Sequence, residues 1–131
     1  MTTPRTLLAL AMATGLAFSA CTLPTGDLIV YEQTAPELAH ASVSPEGVWE
    51  SAPWSAPDAP WLPYPSQATV QVEHTLGREP RVVNVYLSFD AMGSEPAAAA
   101  GDLARIVSVD ETTLSVRNGT NAQLFARIVA Y

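Results

Sequence analysis

Strict alternation of apolar and polar side chains constrains this chain more than any other feature. In Ala68-Thr69-Val70-Gln71-Val72-Glu73 the side chains change character at every step. A period of two residues places Ala68, Val70, Val72 and, by continuation, His74 on one face, with Thr69, Gln71 and Glu73 on the other. That is the pattern of a strand with one buried side. The alternation resumes over residues 81–89, with Val83, Val85, Leu87 and Phe89 on one face and Val82, Asn84, Tyr86 and Ser88 on the other. The second of these faces is half apolar, so the strand is expected to be central, with Val82 and Tyr86 covered. The break between the two runs reads as a turn. Pro80 biases Glu79 towards an extended backbone, and Gly77 suits a position with φ > 0.

Further strands are expected downstream. Residues 103–109, 112–117 and 122–131 are short, rich in β-branched residues, and separated by Asp110-Glu111 and Asn118-Gly119. Asn-Gly is a strong hairpin signal, so the last three runs read as an antiparallel meander. Residues 90–102, with Gly93, Pro96 and four consecutive alanines, read as a loop. Residues 27–32 form one more short β-branched run. No helical period occurs after residue 20. The expected fold is all-β: a small antiparallel β-sandwich of five to seven strands.

The N-terminal part has another character. Residues 1–20 carry Arg5, then an apolar run over residues 7–18, then Ser19 and Ala20. This is the layout of a signal peptide, and the run is shorter than the roughly 20 apolar residues that span a bilayer. Cys21, the single cysteine, follows at once. Phe18-Ser19-Ala20-Cys21 resembles the lipobox of bacterial lipoproteins, with Phe18 where Leu is usual. The resemblance implies cleavage before Cys21, a diacylglyceryl thioether on its sulfur and acylation (palmitate) of the new N-terminus. The alternative is an ordinary signal peptide followed by chance by a cysteine. On the lipobox reading, acyl chains would anchor the protein to a membrane without a transmembrane helix. Thr22 in place of Asp points, by the enteric rule, to the outer membrane.

Removing Arg5 leaves five arginines and no lysine against thirteen acids, about eight net negative charges. Such a balance argues against nucleic acid as a partner, because binding to it depends on cationic side chains.

Residues 21–66 read as anchor and tether, ahead of a domain at 67–131. Residues 33–66 contain seven prolines, a density that opposes both helix and central strand. A plain spacer would be polar, yet Trp49, Trp54, Trp61 and Tyr64 lie among the prolines. Two readings stay open. The aromatics form a strap that packs along the domain and completes a small core, or they form an exposed surface on which a ligand stacks.

The chemistry of catalysis is not legible. His40 and His74 are the two histidines, too few for a zinc site without further ligands. His74, at a strand end, is expected to pack inward and bond nearby backbone. Asp90, Asp102 and Asp110 lack the spacing of a calcium loop. Asn118-Gly119-Thr120 fits a glycosylation sequon by chance. No cofactor, metal or catalytic residue is expected.

The segment His74-Thr75-Leu76-Gly77-Arg78-Glu79-Pro80, with Val83, Val85 and Tyr86 after it, resembles a β-sandwich module of phage tail-fibre and collar proteins. Asp110-Glu111-Thr112-Thr113-Leu114-Ser115-Val116 is similar to that module's later strand. The resemblance covers roughly residues 67–131 and implies a β-sandwich with an adhesive habit, without naming a ligand. The expectation is a non-catalytic envelope lipoprotein with a structural or protein-interaction role. The alternative is a carbohydrate-binding module using Trp49, Trp54, Trp61 and Tyr64.

Overall fold

The computed structural model describes residues 26–131. The expected signal peptide and Cys21 lie outside the described residues. Among the described residues the fold is all-β, a sandwich of two sheets with ten strands. In chain order they are β1 (Leu28–Tyr31), β2 (Ser42–Val43), β3 (Trp49–Glu50), β4 (Leu62–Tyr64) and β5 (Thr69–Glu73). Then follow β6 (Val83–Ser88), β7 (Ala97–Ala98), β8 (Arg105–Val109), β9 (Thr113–Arg117) and β10 (Leu124–Ala130). Among the described residues no helix is long and apolar enough to cross a membrane.

One sheet has the order β1-β5-β9-β8. The other runs β2-β3-β10-β6-β7, with β4 also paired to β10. The alternation in β5 is realised as the sequence predicts: Ala68, Val70, Val72 and His74 are buried while Thr69, Gln71 and Glu73 are half-buried. Leu114 and Val116 of β9 meet them in register, Val70 opposite Val116 and Val72 opposite Leu114. From the other sheet, Leu124, Ala126, Ile128 and Ala130 of β10 and Val85 and Leu87 of β6 complete the same core. Closing two β faces on each other removes apolar surface from water, which stabilises by about 25 cal/mol per Å² and is the main stabilising term here.

Three expectations need correction. First, residue 66 is not a boundary between tether and domain. β1 pairs in parallel with β5, and β3 and β4 pair with β10, so the Pro-rich stretch supplies strands to both sheets. Proline is compatible with β4 because that strand has a neighbour on one side only; Pro63 sits at the sheet's edge opposite Phe125. These short strands also raise the count above seven. Second, the last three strands are not a meander. β8 and β9 form a hairpin in one sheet, and β10 lies in the other. Asn118 is the pivot of that crossover and is fully buried. Its Nδ2 donates to the carbonyls of Tyr64 and Ala122, and its Oδ1 accepts from the Thr120 N–H and hydroxyl. Gly119 is needed for close approach: a Cβ there would lie 3.0 Å from the Asp102 carbonyl oxygen. Third, Phe89 does not continue the buried face of β6: the strand ends at Ser88 and the next side chain stands in solvent.

Candidate functional site

Two places on the sandwich gather side chains that simple burial does not explain. The first lies on the outer face of the six-stranded sheet. β3 and β4 share one edge of β10, covering Val129–Ala130 and Leu124–Ala126 respectively. Between them the chain leaves the sheet at Ser51 and returns at Leu62. Ser51 closes the gap by donating its N–H to the Ile128 carbonyl and accepting the Ile128 N–H on its hydroxyl. Residues 52–61 fold over the outer side chains of β10 and β6. Ala52, Ala59 and Trp61 form a second small core there, with Ala56, Tyr86 and Phe125 against it.

Arg127 points out of β10 into this layer and is 0 % exposed. Its Nε donates to the Ala52 carbonyl, and one terminal nitrogen donates to the Glu50 carboxylate at 2.6 Å. The guanidinium carbon lies 3.9 Å from the centre of the Trp54 ring, within cation–π range. The other terminal nitrogen is buried with no hydrogen-bond partner among the described residues. Burial lowers the Arg127 pKa, and the Glu50 carboxylate opposes that shift by stabilising the cation. The arrangement fastens the strap to the sheet and offers no reacting group.

The four aromatic residues expected as a ligand-stacking surface therefore do not act together. Trp49 and Tyr64 belong to the main core and Trp61 to the second core, all buried. Tyr64 donates its hydroxyl to the Leu103 carbonyl, and burial raises its pKa. A stacked ligand cannot reach these three, because protein already occupies their faces. Trp54 alone remains outside, 56 % exposed. It contacts Trp61 and Tyr86 edge-on, with ring centres 5.9 Å and 5.8 Å away.

The second place is an open side of the sandwich. Phe89 follows the end of β6 and is 84 % exposed. It borders a cavity of about 150 Å³ with Leu87, Ala97, Ala99, Leu103 and Leu124. Glu95 stands at the rim. Two ion pairs occur among the described residues, Arg105–Asp102 and Arg127–Glu50, so the Glu95 carboxylate has no cationic partner among them. β7, on this side, pairs with β6 alone and ends its sheet. β8 ends the other sheet; Ile106 and Val107 are exposed on it, and its pairing with β9 slips between Ile106 and Ser108.

The remaining candidates are structural. His74 is buried, with Nε2 2.9 Å from the Asp110 carbonyl and Trp49 edge-on to its ring. Asp110 caps the β8–β9 turn through the N–H and hydroxyl groups of Thr112 and Thr113. Those bonds, the backbone N–H groups first, lower its pKa to about 2. Asp90 accepts from the Met92 and Ser94 N–H groups, and Asp102 pairs with Arg105. Among the described residues no three His, Cys, Asp or Glu side chains gather to hold a metal. Buried Asn118 cannot serve as a glycan acceptor.

No family model, curated protein or solved structure matches this chain.

Sequence reasoning passed over Arg127 and placed Phe89 on the buried face of its strand, where the structure leaves it exposed. Arg127 had a usable signal. An arginine between Phe125 and Val129, all on one strand face, marks a face too apolar to be left in water.

Proposed function

We propose that this protein is a non-catalytic lipoprotein of the cell envelope whose β-sandwich engages a protein partner. The observation that carries the reading is the exposed Phe89 beside an apolar cavity at an open sheet end. Aromatic side chains left in water at the mouth of an apolar recess mark interaction sites.

The anchor part of the proposal rests on Cys21 and the apolar run before it. Cys21 precedes Leu28 by seven residues. A fully extended chain of that length reaches at most about 25 Å. Lipid on Cys21 thus holds β1 close to the membrane surface and the sandwich just above it, in the outer membrane by the Thr22 criterion.

Two measurements test these parts separately. Palmitate labelling of cells expressing the protein should disappear in Cys21→Ser, with precursor accumulating; labelling that persists refutes the anchor. A photo-crosslinking amino acid at position 89 should give a discrete protein adduct in intact cells, and one at Glu79 should not. Absence of an adduct at 89 refutes the interaction reading.

A second reading has one observation in its favour. Trp54 presents a flat, supported ring to solvent, which suits a sugar ring of an envelope polysaccharide. Quenching or enhancement of tryptophan fluorescence by a polysaccharide panel, lost in Trp54→Ala, would move the function there.

A further inference from the structure

On the reading that this domain is an interaction module, we propose that its partner is an extended cationic segment. This segment adds to the free edge of β7 and places one large apolar side chain in the cavity beside Phe89.

The backbone supplies the first part of the argument. β7 pairs with β6 through Ala97 opposite Leu87 and Ala98 opposite Tyr86, and the Ala99 N–H donates to the Val85 carbonyl at 2.8 Å. Antiparallel bonding alternates along a strand, so Ala97 and Ala99 bond to β6 while the N–H and carbonyl of Ala98 point away from it. That N–H and carbonyl are what an added strand uses. The neighbouring side chains on this edge, residues 97–100, are all methyl groups, which lets another backbone approach.

The cavity supplies the second part. At about 150 Å³ it has room for one aromatic or branched aliphatic side chain. Its walls, Leu87, Phe89, Leu103 and Leu124, are apolar. Alternating side chains of an added strand point to opposite faces, so a single residue of the segment can enter it.

Charge supplies the third. Glu95 stands at the rim without a cationic partner among the described residues. Arg105 is already paired with Asp102, and the whole chain carries a net charge of −7. A Lys or Arg next to the apolar anchor meets this field favourably, and an acidic segment is repelled. The same carboxylate disfavours a fatty acid, whose headgroup would sit beside it.

The test is selection of a random nonapeptide library on the full chain in detergent, repeated with Glu95→Lys, Ala98→Pro and Leu103→Asp. These positions are exposed, and a proline at 98 removes only the outward N–H, so unfolding curves should match the wild type. The expected result is enrichment of peptides with a large apolar residue adjacent to Lys or Arg. Affinity should fall at least tenfold in Ala98→Pro and Leu103→Asp, and selection on Glu95→Lys should shift to acidic peptides. Peptides without charge preference, binding untouched by Ala98→Pro, competition by dodecanoate, or no enrichment each overturn the proposal. If any of these occurs while the adduct at position 89 persists in cells, the interaction reading stands and its partner is of another kind.

Discussion

The strap on the outer face of the six-stranded sheet and the open side at β7 are both built from apolar residues, and they end in opposite states. The strap brings Trp61, Ala52 and Ala59 onto Tyr86 and Phe125 and closes over Arg127. At β7 the chain contributes only alanines, and Phe89, Leu103 and the cavity between them stay uncovered. The difference teaches that aromatic content alone does not mark a binding surface. The aromatic-rich segment is consumed in stability, and the surface that remains is framed by a stretch with little signature of its own.

Substitutions should separate the two regions sharply. Trp61→Ala should cost about 3–5 kcal/mol in urea unfolding, the range for deleting a buried aromatic. Phe89→Ala should change stability by less than about 0.5 kcal/mol, as for an exposed site. Equal costs would erase the distinction. Arg127 comes next. Arg127→Ala leaves the Ala52 carbonyl without its donor and the Trp54 ring unsupported, and should cost about 3 kcal/mol. Arg127→Met keeps much of the packing and should cost clearly less, because replacing a buried ion pair by apolar volume is often close to neutral.

Gly93 tests how the strap is seated. It has φ +73°, and an added Cβ would fall 2.3 Å from Cε2 of Trp61. Gly93→Ala combines left-handed strain of about 1–2 kcal/mol with displacement of that ring. It should lower stability and red-shift tryptophan emission; unchanged emission would mean that the strap accommodates the methyl group. The smallest effect concerns acid, far from both regions. The Asp110 pKa, about 2, lies below its ordinary value of 3.8. Its hydrogen bonds therefore add stability above the ordinary value, and that part is lost as pH falls towards 2. Asp110→Asn should be less acid-sensitive than the wild type between pH 4 and pH 2, by urea midpoints; identical slopes would remove the cap from the account.

The parts of the fold read correctly from sequence are those decided locally. Period-two alternation placed Val70, Val72, Leu114 and Val116 inward because each packs on its own strand's buried face. What escaped was decided by partners distant in sequence. Trp49 pairs with Ala130, and Tyr64 with Leu124, so the Pro-rich stretch becomes strand only once β10 is present to receive it. Asn118-Gly119 has the composition of a hairpin turn. The pair instead serves a crossover, where the Asn amide satisfies buried backbone groups and the glycine makes room for the Asp102 carbonyl. Phe89 kept the alternation, but β6 ends at Ser88 and nothing folds over the next residue.

Amide hydrogen exchange on the full chain tests the central claim most directly. The Ser51 and Trp61 N–H groups bond to the Ile128 and Ala91 carbonyls. If residues 49–64 are integral to the sandwich, these two amides exchange as slowly as those of β10, while the outward Ala98 amide exchanges fast. Rapid exchange at Ser51 and Trp61 with β10 still protected would contradict it, and would return the aromatic segment to the status of a detachable tether.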